Sequence, residues 1–209
     1  MKKLTLCMMT LAFTAALTSS ALASSIAGKV WYADCKLLDD AALMYGGTAS
    51  LSLSENLWIS GMYLMGTYDD VLGLSGLAWD SADGEALLGY SFPFVDVGVG
   101  GRYSLWTLGF LGAEEEYQIF GPMAYIGAGS SFGDSPLGWY VGGSYMFKDF
   151  GDADDSEDTD DGFEHYNIEG GLFLSLEPVS LTVGYRLKEY VNLDDLEFKG
   201  ITATLGFGF

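Results

Sequence analysis

Basic residues, cysteine and histidine are scarce in this chain, and each scarcity excludes a class of function. Nine Lys and Arg stand against 29 Asp and Glu, which gives a formal net charge of −20. A surface this acidic repels a phosphate backbone, so nucleic-acid binding is excluded. Cys7 lies in an N-terminal apolar run and Cys35 is the only cysteine after it. An intramolecular disulfide is therefore excluded for the rest of the chain.

Long hydrophobic runs are also missing after residue 23, where no stretch of about 18 uninterrupted apolar residues could form a transmembrane helix. The run from Leu4 to Leu17 follows two lysines and ends in a small-residue motif. This pattern predicts a secretory signal peptide cut after Ala23, and the run is too short for a membrane anchor. We therefore expect residues 1–23 to be a signal peptide and residues 24–209 to form one domain.

Apolar and small residues, in contrast, are abundant. Hydrophobic residues make up 49% of the chain, aromatic residues make up 15%, and there are 29 glycines. This balance is typical of a membrane β-barrel, in which apolar side chains face lipid and small ones allow strands to pack closely. In the last ten residues apolar side chains alternate with glycine and threonine, and the apolar set is Ile201, Ala203, Leu205, Phe207 and Phe209. An extended strand here has one apolar face and one small, polar face.

The segment that ends on Phe209 resembles the closing strand of Gram-negative outer-membrane β-barrels, and the signal peptide independently indicates export. The resemblance is to this general class and to no specific family. It implies a location in the outer membrane and contact with outer-membrane lipid and lipopolysaccharide. It also implies that the outer-membrane assembly machinery recognises the Phe209 strand. The oligomeric state stays open.

Alternating segments separated by turn residues continue along the whole chain after the signal peptide. They predict ten strands, near residues 26–34, 43–53, 57–67, 84–92, 95–107, 117–131, 138–148, 164–176, 180–190 and 198–209. An even number places both termini in the periplasm. The predicted fold is all-β, an antiparallel up-and-down transmembrane β-barrel of ten strands, with eight strands as the alternative.

The predicted connections differ in length on the two rims of the barrel. Those after even-numbered strands are tight, and those after odd-numbered strands are mostly longer, at 35–42, 68–83, 108–116, 149–163 and 191–197. This matches the asymmetry between periplasmic turns and extracellular loops. Acidic residues concentrate in the longer connections. The segment from Val71 to Trp79 is unusual because it is apolar, and it could extend the strands, fold into the barrel mouth or contact a partner.

Charged residues share the small face of each strand, whereas the other face is continuously apolar. A soluble barrel would show the inverse arrangement, so this pattern favours a membrane barrel. Five of the basic residues take inward positions, namely Lys29, Arg102, Lys148, Arg186 and Lys188.

Hairpin geometry predicts partners for these basic residues. A two-residue turn at Pro93-Phe94 sets Glu85 opposite Arg102. If Leu176 faces Leu181, Glu169 lies opposite Lys188, with Arg186 one diagonal step away. We expect these pairs, together with Lys29 and Asp96, to fill much of the lumen.

Aromatic residues near the strand ends predict the interfacial girdles of a membrane barrel. Trp58 and Trp139 lie near the periplasmic ends of their strands, and Trp106 and Tyr190 lie near extracellular ends. The prediction assigns all four rings to the outer surface.

His165 is the only histidine and the main candidate for catalysis by a rim enzyme acting on lipid A or peptides. Outer-membrane proteases have an Asp two positions before their histidine, where this chain has Phe163. The deacylases have a Ser two positions after it, where this chain has Asn167. We therefore expect a rim or lumen residue that forms hydrogen bonds, and no enzyme.

The acidic run from Asp152 to Asp161 offers oxygen ligands at alternate positions, as calcium sites do. Its spacing is not that of a helix-loop-helix calcium site. The candidate ligands for a weak divalent cation are Asp152, Asp154 and Asp158. We expect a solvated loop kept open by repulsion between its charges, with no cofactor, and the weak divalent-cation site is the alternative.

Function does not follow from this fold, and three hypotheses remain. The first is a small outer-membrane barrel with a charged lumen filled by side chains, in a structural role or as a narrow, porin-like pore for small solutes. The second is an extracellular interaction or adhesion protein that acts through its acidic loops. The third is the rim enzyme.

Overall fold

The computed structural model describes residues 24–69, 71, 77–110, 113–148, 163–191, 193 and 196–209. The predicted signal peptide, the acidic run from Asp152 to Asp161 and its candidate ligands Asp152, Asp154 and Asp158 lie outside these residues. Within the described part of the chain, no helix is long and apolar enough to span a membrane.

The described residues form ten antiparallel strands. They are β1 (Ser24–Cys35), β2 (Asp40–Ser52), β3 (Leu57–Tyr68), β4 (Leu77–Ser91), β5 (Asp96–Phe110), β6 (Ala113–Ser131), β7 (Leu137–Met146), β8 (His165–Leu176), β9 (Val179–Tyr190) and β10 (Glu197–Gly208). Each strand pairs with its neighbours in sequence, and β1 pairs with β10 to close the barrel. The predicted ten-stranded, up-and-down, all-β fold is confirmed.

Both chain ends of the barrel meet at one rim. The amide of Ser24 donates to the carbonyl oxygen of Phe209 at 3.0 Å, and the amide of Phe209 donates back at 2.9 Å. We call this rim the terminus end and the opposite rim the loop end. The terminus end also carries the short connections that follow β2, β4, β6 and β8.

Two predicted connections at the loop end are wrong in length. The strand β4 begins at Leu77, so the predicted loop 68–83 ends earlier and its last seven residues belong to the barrel wall. The strands β5 and β6 extend the same hairpin until only residues 111–112 separate them, which replaces the predicted loop 108–116. Acidic side chains such as Asp80 and Glu116 are therefore part of strands, because backbone pairing continued beyond the apolar pattern.

The outer surface is apolar, as the alternation predicts. Large apolar side chains about half exposed to the exterior occur on many strands, including Leu43, Val99, Phe120, Ile126, Ile168, Leu172, Tyr185, Ile201 and Leu205. The charged residues Lys29, Arg102, Arg186 and Lys188 are buried on the inner face. Exposing this much apolar surface to water is unfavourable, whereas lipid accommodates it, so the exterior is that of a membrane barrel.

The predicted aromatic girdle is largely wrong. Trp139 does lie on the exterior, at 38% exposure, but Trp106 and Tyr190 are buried in the lumen at 6% and 2%. Trp58 also points inward, because a Cβ added at Gly89 on β4 or at Gly98 on β5 would meet its ring. The side-chain period of two explains the error. Residues separated by an even number of positions in a strand lie on the same face. Trp106 therefore shares the inner face of Arg102, and Tyr190 shares the inner face of Lys188.

Candidate functional site in the barrel lumen

Seven charged side chains meet inside the barrel, and we call this set the charge belt. Its members are Lys29, Asp83, Glu85, Arg102, Glu169, Arg186 and Lys188. They come from β1, β4, β5, β8 and β9. Alternate side chains of a strand face the lumen, and these seven residues occupy such inward positions.

Glu85 lies at the centre of the belt and contacts two guanidinium groups. It is directly opposite Arg102 in the ladder between β4 and β5, and the Arg102 Nη2 atom forms an ion pair with Glu85 Oε1. The Arg186 Nη2 atom lies 3.4 Å from the same oxygen, from the other side of the lumen. Arg102 also donates to Ser144 Oγ at 2.9 Å. The structure thus brings Glu85 and Arg102 together as the hairpin geometry predicted.

Arg186 spans the lumen between polar and aromatic partners. Its Nε donates to Asn167 Oδ1 at 2.7 Å, and its guanidinium carbon lies 4.6 Å from the centroid of the Trp31 ring. Arg186 and Trp31 are both fully buried. A desolvated guanidinium over an indole face is a favourable cation–π arrangement, so Trp31 helps to hold this charge inside the barrel.

The predicted pair of Glu169 and Lys188 is wrong. The turn between β8 and β9 contains only Glu177 and Pro178, so Leu176 faces Val179 instead of Leu181. This shifts the register by two residues and sets Glu169 opposite Arg186. The ion pair of Glu169 is formed across the barrel with Lys29, at 2.6 Å.

Further hydrogen bonds hold Glu169 in place. Thr202 Oγ1 donates to Glu169 Oε1 at 3.0 Å and Tyr140 donates its hydroxyl to the same oxygen at 3.1 Å. A buried carboxylate with an ion pair and two hydroxyl donors is well compensated for the loss of water.

Lys188 instead pairs with Asp83, which lies within the predicted loop 68–83. The Lys188 Nζ atom lies 2.6 Å from Asp83 Oδ1, and Ser104 Oγ donates to the same oxygen at 2.6 Å. A signal for Asp83 was present, because it lies two residues before Glu85 and therefore shares its inward face.

Two other residues that were predicted to line the lumen are not part of the charge belt. Lys148 lies beyond the end of β7 and is exposed, so its predicted inward position is wrong. The strand β7 ends at Met146, so its alternation of inward and outward side chains does not extend to residue 148. Asp96 does line the lumen, but near the terminus end, next to Tyr125 and Tyr140 and apart from the belt.

Aromatic side chains fill the lumen between the charge belt and the loop end, and we call this set the aromatic cap. Its members are Tyr68, Trp79, Trp106, Phe163, His165, Tyr190 and Phe198. Ring centroids of Trp106 and Tyr190 are 5.0 Å apart, and those of Trp79 and Trp106 are 5.2 Å apart. Trp79, from the apolar segment Val71 to Trp79, thus packs inside the barrel mouth. The cap is continuous, because each of its rings contacts at least one other ring of the set.

His165 belongs to this cap and not to the rim surface. It has no exposed area, and its ring lies 4.7 Å from that of Tyr190. Neither ring nitrogen has a hydrogen-bond partner among the described residues. The expected hydrogen-bonding role is therefore not seen in that part of the chain. Across the described residues, no group of three His, Cys, Asp or Glu side chains is arranged to hold a metal ion.

The topology and the inverted side-chain pattern together define a membrane β-barrel whose interior is filled by side chains. No protein-family model matches the sequence, and no curated protein matches it. Among solved structures, the translocator domain of the autotransporter NalP from Neisseria meningitidis is similar in fold, with 11% identity over 97% of this chain and 94% of that chain and a TM-score of 0.49.

Other barrels of similar architecture show equally low identity. The outer membrane protease OmpT from Escherichia coli has 10% identity over 90% of this chain and 94% of that chain, with a TM-score of 0.49. Neisserial surface protein A has 11% identity over 91% and 98%, with a TM-score of 0.42. The class assignment for this chain rests on its own strand topology and side-chain placement.

Proposed function

We propose that this chain is a closed outer-membrane β-barrel with a structural role, whose lumen does not pass solutes. The observation that carries the proposal is the continuous filling of the lumen by the charge belt and the aromatic cap. In the belt, Arg102 and Arg186 have no exposed area and Lys188 is 2% exposed. A conducting pore requires a hydrated path, and these side chains occupy the positions through which such a path would run.

The outer membrane fits the remaining features of the chain. The exterior offers apolar side chains to lipid, and the inner face carries the charge, as in outer-membrane barrels. The short connections and both termini lie at one end, which we assign to the periplasm. In this proposal the β10 strand and Phe209 are the elements that the outer-membrane assembly machinery recognises, and lipopolysaccharide surrounds the loop end.

Conductance of the protein purified from outer-membrane fractions and placed in planar bilayers tests this proposal. We expect no steady open-channel current from the unchanged protein. Glu85→Ala should create an anion-selective current, because Arg102 and Arg186 lose their shared carboxylate and repel each other. Glu55→Ala, in an exposed turn of the terminus end, is the matched control and should stay closed. A steady current from the unchanged protein would contradict closure and favour the narrow-pore hypothesis.

An extracellular interaction role is the second candidate, because ordered acidic groups occur at the loop end. The Tyr145 hydroxyl donates to Glu164 at 2.5 Å, and the Tyr166 hydroxyl donates to Glu189. Positioned carboxylates suit a basic partner surface. Binding of intact cells to such a partner should then be lost in Glu164→Gln/Glu189→Gln and retained in the terminus-end control Glu55→Gln. Equal binding by all three proteins would contradict this role.

A further inference from the structure

The terminus end of the lumen contains a cavity that the closed-barrel proposal does not use. Its volume is about 410 Å³, and its lining includes Asp96, Tyr125, Tyr140, Phe173 and the segment 128–131. On its inner side it reaches the charge belt, because the Tyr140 hydroxyl is bonded to Glu169. A space of this size can hold a small organic molecule, and its polar and aromatic lining limits which kind.

Three aromatic rings line this cavity, and each lies over a glycine of the barrel wall. A Cβ added at Gly127 would meet the Tyr125 ring, one at Gly138 would meet Phe173, and one at Gly184 would meet the Tyr140 hydroxyl. The rings therefore lie along the wall instead of crossing the lumen, because glycine leaves them the space. All three rings also line the cavity, and the faces of aromatic rings carry the negative part of the ring quadrupole.

Asp96 adds a full negative charge to the same cavity. The three carboxylates of the charge belt are each paired with a cation, but Asp96 has no ion pair or hydrogen bond with the described residues. The strand β5 carries Asp96 at its first position, six residues before Arg102. That separation is about 20 Å along an extended strand, too far for Arg102 to neutralise it.

We propose that this cavity binds a small organic cation of the ammonium class, with Asp96 as its counter-charge and Tyr125, Tyr140 and Phe173 as its aromatic walls. Aromatic faces combined with one carboxylate attract an ammonium group through both cation–π and ion-pair interactions. A bare metal ion would need several oxygen ligands, and the described residues contain no such group. An anion would be repelled by Asp96. The inference does not depend on whether the barrel is closed.

Calorimetric titration of the purified protein with choline tests the proposal. The comparison ligand is the alcohol in which carbon replaces the ammonium nitrogen of choline, since it has the same shape without the charge. We expect choline to bind and the uncharged alcohol to bind at least about tenfold more weakly, because the charge supplies the main attraction. Absence of choline binding at millimolar concentrations, or equal binding of the two ligands, would overturn the proposal.

Substitutions locate the site. Asp96→Asn should weaken choline binding about tenfold, the effect of losing one charge-assisted contact. Phe173→Leu keeps an apolar side chain without a ring and should weaken binding about threefold. Asp134→Asn is the matched control, because Asp134 is an exposed carboxylate in a turn of the same end. It should bind choline like the unchanged protein.

Folding of each variant is checked by the shift in mobility that a folded barrel shows on an unheated gel. If Asp96→Asn does not fold, the two-ligand comparison and Phe173→Leu decide the question. Unchanged choline affinity in folded Asp96→Asn would overturn the proposal, and so would an equal loss in Asp134→Asn, since the effect would then be one of general surface charge.

Discussion

Lys188 and Asp83 form an ion pair across the lumen, with the ammonium nitrogen 2.6 Å from Asp83 Oδ1, although the residues are 105 positions apart in sequence. Both side chains are only 2% exposed. They join β9 to β4, two strands that are not neighbours in the barrel. The interior is therefore held by side-chain contacts across the lumen as well as by the backbone ladder between adjacent strands.

The first prediction concerns this buried pair. Asp83→Ala should lower the free energy of unfolding by about 3–5 kcal/mol, because Lys188 is left as an uncompensated buried charge. Asp83→Ala/Lys188→Met should recover part of the loss, since neither charge then remains. Urea unfolding of the detergent-solubilised barrel measures both. The control is Lys199→Met, which removes the partner of Glu197 in an exposed pair with side chains 40% and 26% exposed.

That exposed pair should contribute far less to stability than the buried pair, because water screens it. A loss in Lys199→Met as large as that in Asp83→Ala would show that burial does not set the strength of the Asp83–Lys188 pair. A double variant less stable than Asp83→Ala would also contradict the prediction.

The second prediction concerns the seam that closes the barrel. Gly200 on β10 has a φ of +156° and packs so closely on β1 that an added Cβ would overlap the carbonyl oxygen of Tyr32. Gly200→Ala should therefore destabilise the closed barrel by about 1–3 kcal/mol, through strain and steric overlap. Gly28→Ala is the matched control on β1, because nothing lies within 4 Å of its added Cβ. Equal stabilities in urea unfolding would contradict the prediction.

The third prediction concerns orientation in the membrane. A protease that cleaves after glutamate, added to intact cells, should cut at Glu157 and leave Glu55 uncut, because the first lies between β7 and β8 and the second in a turn of the terminus end. Mass spectrometry of the fragments locates the cuts. Permeabilised cells serve as the control, in which Glu55 becomes accessible. Cleavage at Glu55 in intact cells would reverse the proposed orientation.

The fourth prediction concerns the acidic run and its candidate ligands Asp152, Asp154 and Asp158. If they bind a divalent cation, millimolar calcium should slow protease cleavage of this run, as expected for weak extracellular sites. The variant in which all three are replaced by Asn should lose that protection. Calcium without effect on the unchanged protein would leave the solvated-loop hypothesis.

Much of the fold could be predicted from the sequence, because the side-chain period of a strand is two. One apolar face in most segments predicts both the strands and which residues face lipid, whereas the segment from Gln118 to Ser131 is apolar on both faces and its facing stayed open. The same period contained information that the prediction did not use. It places Trp106 on the face of Arg102 and Tyr190 on the face of Lys188, which is the arrangement that the structure has.

The pairing register between strands could not be predicted from the alternating pattern alone. Glu85 and Arg102 could be paired in advance because the turn beside them has a defined length. The partner of Glu169 could not be predicted in this way, since a turn of two residues or of four at Pro178 is equally compatible with the alternating pattern. The structure has two, and the pairing partner changes from Lys188 to Arg186.

The sequence by itself thus determined the class of fold and most of the inward positions, and it favoured ten strands over eight, because these features depend on local periodicity and on turns. Only the tertiary structure decided which charges meet. Lys29 reaches Glu169, and Lys188 reaches Asp83, across the interior of a closed barrel. Such partners are far apart in sequence and belong to strands that are not neighbours in the barrel. Their distances depend on the curvature of the whole sheet, which no local pattern contains.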